Sequence, residues 1–179
     1  NTLGRIVEVV SGVPFAKLLQ ERVLDPCGMK DTTFWPTPAQ AKRIAKSYRP
    51  DKNGELQQVE VRFLAGGISN RKRTPYPAGG LYSTAGDVVR FYQMMLSGGT
   101  FNGKRVLKKE TAALMTRTQS GDIETGFVEG MSWGLGFQVV KKPMGVTATL
   151  SSGTYGHGGA YATQSWADSK RGIIVVMMI

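Results

Sequence analysis

The chain holds one histidine and one cysteine, so the search for reactive groups is short. His157 stands in Tyr155-Gly156-His157-Gly158-Gly159-Ala160, just ahead of a segment with strand character. Imidazole is the side chain that titrates near neutral pH, and flanking glycines let backbone and ligand approach closely. The segment therefore reads as a polar group on a strand edge at a cleft, against the plainer reading of a histidine in a glycine turn. A second pattern, Ser69-Asn70-Arg71-Lys72, has the spacing of a serine nucleophile and a lysine base on one helical turn. That chemistry needs a desolvated lysine of lowered pKa. Lys72 instead sits between Arg71 and Arg73, in a loop with no helical periodicity, and 11 serines with 12 lysines make such a coincidence ordinary. The pair is set aside. Cys27 follows Pro26 and reads as a small buried apolar residue. A lone cysteine forms no internal disulfide, and no Cys/His cluster exists to hold a structural zinc. No metal and no cofactor are implied.

These groups need a scaffold, and the composition supplies one. The 179 residues are 41% hydrophobic and 20% charged, with 23 glycines. That suits one ordinary folded domain and excludes a disordered tail or a fibre. Net charge is +10. The basic residues fall in short scattered groups, Arg71-Lys72-Arg73, Lys104-Arg105, Lys108-Lys109 and Lys141-Lys142, without interleaved aromatics. They read as solvated surface, and nucleic acid is not an expected partner. The longest apolar run, Ile173 to Ile179, has seven residues, where a membrane span needs about 20.

Periodicity places the elements. Leu3, Ile6, Val7 and Val10 predict an amphipathic helix, and Pro14 opens a second with Phe15, Leu18, Leu19 and Val23 inward. Residues 31–80 read as irregular, with an Asn53-Gly54 hairpin signal and a short alternating piece over 59–63. Ser83 or Thr84 caps a helix over 85–96 with Val88, Phe91, Met95 and Leu96 inward, and a short helix fits 108–117. Strands are predicted over 134–140, 160–167 and 172–179, the last two joined by a turn at 168–171. Helices over 1–30 and 81–117 followed by antiparallel strands over 133–179 define an α+β fold. The first helix starts without a lead-in and the chain ends inside an apolar run, so the sequence reads as part of a larger domain.

Four motifs in order, Leu3-Gly4-Arg5-Ile6-Val7-Glu8-Val9-Val10-Ser11-Gly12, Asp25-Pro26-Cys27-Gly28-Met29-Lys30-Asp31-Thr32, Pro77-Ala78-Gly79-Gly80-Leu81-Tyr82-Ser83-Thr84-Ala85-Gly86-Asp87 and Gly156-His157-Gly158-Gly159, resemble the serine β-lactamase-like superfamily. The branch is that of class C β-lactamases, D-alanyl-D-alanine peptidases and family VIII carboxylesterases. The resemblance implies the C-terminal part of a β-lactamase/transpeptidase-like domain, with residues 31–80 as a cleft wall. It implies an upstream Ser-x-x-Lys nucleophile and a tyrosine base motif, and an ester, β-lactam or D-Ala peptide as substrate. It places His157, Gly158 and Gly159 at the Lys-Thr-Gly triplet of the active-site strand, with the Ala160 N–H as an oxyanion donor. Tyr76, Gly79 and Tyr155 become substrate-side residues, Gly79 standing where class C enzymes commonly carry a tyrosine. Replacing Lys-Thr-Gly by His-Gly-Gly removes a fixed charge and a hydroxyl and favours ester over lactam cleavage. The other half of the domain is the implied partner. Relatives that act in the periplasm or outside the cell make either compartment an expectation, with the cytoplasm still open. Alone, the chain is expected to be inactive. A non-catalytic binding or regulatory module that kept the fold without the nucleophile is the alternative.

Overall fold

The spacing of Leu3, Ile6, Val7 and Val10 becomes α1, Thr2–Ser11. The computed structural model describes residues 1–59, 67–68, 70–123, 128–159 and 161–178. The chain divides into two compact units, residues 1–25 with 30–84 and residues 26–29 with 85–179.

In the first unit α1 closes where the Gly12 amide bonds the Glu8 carbonyl at 2.8 Å. The Glu8 carboxylate accepts the Phe15 amide at 2.9 Å and the Arg5 guanidinium at 3.0 Å. These two donors, the amide first, hold it below the usual carboxylate range. After Pro14 come α2, Phe15–Leu19, and a π-helical turn, Gln20–Leu24. The stretch expected to be irregular contains two small regular pieces. One is α3, Pro38–Ala41, locked by reciprocal bonds between Thr37 and Gln40 of 2.9 and 3.2 Å. The other is a hairpin of β1, Ser47–Pro50, and β2, Leu56–Val59. Asp51 shapes its tip by accepting the amides of Asn53 and Glu55 at 2.8 and 3.0 Å, as the Asn53-Gly54 signal predicts. Of the alternating piece over 59–63, only Val59 is described, and it belongs to β2. A bridge of Thr33 with Tyr82, its two amide bonds 3.0 and 2.9 Å long, ties the ends of this stretch together.

The second unit is built on α4, Ala85–Leu96, which buries Asp87, Tyr92, Met94 and Met95. Val88, Phe91 and Leu96 are half-buried, so its inner face is rotated from the expected stripe toward Tyr92 and Met94. A tight hairpin follows, β3, Thr100–Phe101, with β4, Lys104–Arg105. Asn102 and Gly103 both take positive φ, 46° and 77°, the two-residue turn that matches strand twist. Helix α5 runs Lys109–Thr116.

The main sheet is an antiparallel meander in sequence order: β5, Met131–Trp133; β6, Gln138–Val140; β7, Tyr155–Gly158; β8, Gln164–Asp168; β9, Ile173–Met177. The single strand expected over 134–140 is in fact a turn and the second arm of a hairpin. Trp133 pairs with Gln138, and the Gly134 amide bonds the Phe137 carbonyl at 2.8 Å. Glycine explains the break. A Cβ on Gly134 would stand 2.1 Å from the Met115 carbonyl oxygen, and Gly136 has φ +86°, a conformation that side chains resist. Strand β8 starts later than predicted because the chain is still turning at Ala162, where φ is 61°. Residues 160 and 179, at the ends of the predicted strands, lie outside the described residues. Helix α4 packs on β8 and β9, and Tyr92, Met94, Met95, Phe137, Val139, Val140, Tyr155 and Ala167 form the core. The architecture is α+β with antiparallel sheets, as the residue patterns imply. Among the described residues no helix is long and apolar enough to cross a membrane.

Candidate active site

His157 lies within a strand rather than ahead of one. β7 is paired on both sides, to β6 through Tyr155 and Gly156 and to β8 along its whole length, with His157 opposite Ser165. The glycines around it have a local cause. A Cβ on Gly156 would meet the Ser165 carbonyl oxygen at 2.1 Å and the Trp166 ring at 2.7 Å. One on Gly158 would meet the Gln164 side chain at 2.8 Å, and one on Gly159 the Thr163 hydroxyl at 2.2 Å. The space that glycine leaves, read from sequence as room for a ligand, is taken at these three positions by β8 and the turn before it.

The imidazole of His157 is exposed and leans on Trp133, ring centres 5.4 Å apart. Its Nδ1 meets the Gly158 carbonyl oxygen. A carbonyl only accepts, so Nδ1 carries the hydrogen. In the neutral ring Nε2 is then the lone-pair nitrogen, and among the described residues it bonds nothing. A free, sterically positioned imine nitrogen can accept a proton or a hydrogen bond from a reacting group.

Support comes from beneath. The Tyr92 hydroxyl reaches the Ser165 carbonyl at 2.9 Å and lies 3.0 Å from the Ser165 hydroxyl, which donates to the His157 carbonyl at 3.3 Å. Burial raises the Tyr92 phenol above its ordinary value, partly offset by the Ser165 bond. Helix α4 is thus joined to the backbone that carries His157. Tyr155, assigned to the substrate side by resemblance, is a core residue instead. It is 3% exposed, with its ring stacked on Tyr92 at 6.0 Å and edge-on to Phe137 at 5.2 Å. Burial, and then the neighbouring Tyr92, pushes its phenol far upward. Its hydroxyl finds no partner among the described residues.

Tyr76 and Gly79 belong to the first unit, whereas His157, Gly158 and Gly159 belong to the second. Tyr76 is 40% exposed and opens a turn in which the Gly80 amide bonds its carbonyl at 3.0 Å. Gly79 has φ 144°, which disfavours a tyrosine there. Ala160 and Ser69 lie outside the described residues. Lys72 is exposed in a turn closed by Asn70, whose side-chain oxygen accepts the Lys72 amide at 3.0 Å. Cys27 is fully buried, and burial raises its thiol. Sequence spacing missed one residue altogether. Arg73, expected on the solvated surface with Arg71 and Lys72, is 8% exposed, held by the Phe34 carbonyl and by the Tyr82 hydroxyl and ring.

An antiparallel sheet backed by a helix, with a polar side chain on a central glycine-rich strand, makes the second unit α+β. The profile of the family described as Beta-lactamase matches residues 1–179, and the chain belongs to that family. It is 32% identical to penicillin-binding protein 4 of Amycolatopsis lactamdurans over 90% of this chain and 39% of that protein. It is 27% identical to esterase EstB of Burkholderia gladioli over 99% of this chain and 47% of that protein. The solved structure of EstCE1, described as a hydrolase with promiscuous acyltransferase activity, superposes with TM-score 0.78 at 24% identity, over 97% of this chain and 48% of that one. The chain thus spans less than half the length of these relatives.

Proposed function

We propose that this chain is the C-terminal part of a serine hydrolase that works through an acyl-enzyme, its nucleophile and base lying upstream of Asn1. The observation that carries the reading is the exposed His157 with an unengaged Nε2 on a doubly paired strand, in a chain of the β-lactamase family. In the proposed reaction an upstream serine oxygen adds to the substrate carbonyl and the alcohol leaves with a proton. Water then adds to the acyl-serine, and a carboxylic acid departs as the serine regains its proton. Nε2 serves as the hydrogen-bond partner of the upstream base or of the departing oxygen, and the Ala160 N–H as one oxyanion donor. Gly158 and Gly159 let the chain pass close to Gln164 and Thr163.

Esters are the favoured substrates. His-Gly-Gly offers neither the fixed ammonium nor the hydroxyl with which Lys-Thr-Gly would hold the carboxylate of a lactam or peptide. The test is turnover of p-nitrophenyl acetate and nitrocefin by the chain extended upstream through its nucleophile. Ester turnover exceeding nitrocefin turnover is expected. Absence of both, with the serine intact and the protein folded, would overturn the hydrolase reading, and faster nitrocefin turnover would overturn the ester preference.

A further inference from the structure

A guanidinium inside the first unit has no counter-charge among the described residues, although burial demands one. Arg73 is 8% exposed. Its Nη2 donates to the Phe34 carbonyl, its Nη1 lies 3.4 Å from the Tyr82 hydroxyl, and its central carbon sits 5.4 Å from the centre of the Tyr82 ring. The backbone is fixed as well: the Arg73 amide bonds the Asn70 carbonyl at 3.1 Å, and the Trp35 indole N–H donates to the Arg73 carbonyl at 3.0 Å. Every one of these partners is neutral. Among the described residues the ion pairs involve Arg5, Lys17, Arg43, Arg90, Lys141 and Arg171, not Arg73. In the same unit the more exposed Arg43 does hold a carboxylate, that of Asp31. Solvation predicts the reverse, because a buried charge costs more than an exposed one unless it is paired.

A buried ammonium or imidazolium can escape that cost by losing its proton. A guanidinium cannot. What remains is to recruit an anion. Among the described residues Nε of Arg73 makes no hydrogen bond, and it is not one of the fully buried side-chain atoms left without a partner, which are the Thr154 and Tyr155 hydroxyls. The Nε edge is the part of the guanidinium that neither Phe34 nor Tyr82 engages, and it is the edge an incoming acceptor would meet. Arg71 and Lys72, the two preceding residues and both exposed, add positive potential nearby.

We infer that Arg73 is the anchor of a carboxylate-binding site beside the Tyr82 ring and the Phe34 carbonyl, with its backbone fixed by the Trp35 indole. A carboxylate fits because its two coplanar oxygens match the guanidinium fork. Its source is a free small-molecule acid or a Glu or Asp side chain of a peptide segment. The site does not depend on the hydrolase reading.

The test is titration of the chain at constant ionic strength, with sodium acetate in one arm and N-acetylglutamate amide in the other, replacing sodium chloride. Intrinsic tryptophan fluorescence reports binding, and the thermal midpoint reports it independently. A saturable response to at least one carboxylate beyond that of chloride is expected. R73M should weaken it about tenfold or more, and R73K, which keeps the charge but loses the fork, by less. Similar affinity for the two acids would assign the site to a free carboxylate; tighter binding of the glutamate amide would assign it to a peptide side chain. A wild-type response equal to that of chloride overturns the proposal, as does unchanged binding in R73M. Should R73M fail to fold, affinity in R73K equal to wild type overturns the fork.

Discussion

Helices α1 and α4 are written alike and fare differently. Both place apolar residues three and four apart. Yet α4 buries Tyr92, Met94 and Met95, whereas α1 buries only Gly4 and leaves Leu3, Ile6, Val9 and Val10 between 50% and 82% exposed. Gly4 is also the one α1 position pressed against a neighbour, since a Cβ there would stand 2.4 Å from a carbon of the Pro77 ring. Periodicity tells which face of a helix is apolar. Whether anything covers that face depends on the rest of the molecule.

Substitutions can break this contrast. M94A, at a fully buried site on α4, should cost about 2–5 kcal/mol in urea or thermal unfolding; a loss like that of a surface change would mean the α4 face is not packed as described. A smaller effect is expected at Asp168, which caps the β8–β9 turn by accepting the Lys170 and Arg171 amides at 3.0 and 3.1 Å. Burial alone would raise its carboxyl, but bonds from Ser151, Arg171 and Lys170 outweigh burial and lower it. A lowered folded-state value means stability present above the ordinary aspartate value of about 4 and lost as pH falls through the folded one. D168N should therefore be less stable than wild type at pH 7, and the gap should close on acidification. A gap independent of pH would contradict the charge-based account. Y155F removes a buried hydroxyl that has no partner among the described residues, so it should leave stability unchanged or raise it by up to about 1 kcal/mol. A loss above that would reveal a missing bond. Least of all, L3S on α1 should stay within about 0.5 kcal/mol.

How much the sequence disclosed follows the same division. Helical spacing located α1, α4 and α5, and apolar density located β9, because these signals are local. The β5–β6 hairpin was hidden because Gly134 and Gly136 interrupt an otherwise continuous apolar run, and their effect rests on the distant Met115 carbonyl as much as on glycine itself. His157 was legible as the lone imidazole in a glycine-rich segment, but the segment's glycines serve β8 packing. Tyr155 shows the limit most clearly. It stands two residues from His157, yet Tyr92 and Phe137 claim its ring. Arg73 was concealed at the end of a run with two exposed basic neighbours, Arg71 and Lys72, since the Phe34 carbonyl and the Tyr82 side chain that hold it flank the Thr33–Tyr82 bridge.

The role proposed for His157 on β7 in a hydrolase site is tested most directly by ester turnover of the upstream-extended protein with H157A against wild type. A fall in kcat/KM of about 10²–10⁴-fold is expected with the thermal midpoint unchanged, because the side chain is exposed and its ring meets only Trp133 and the adjacent Gly158 carbonyl among the described residues. Turnover equal to wild type in a folded H157A protein would contradict it.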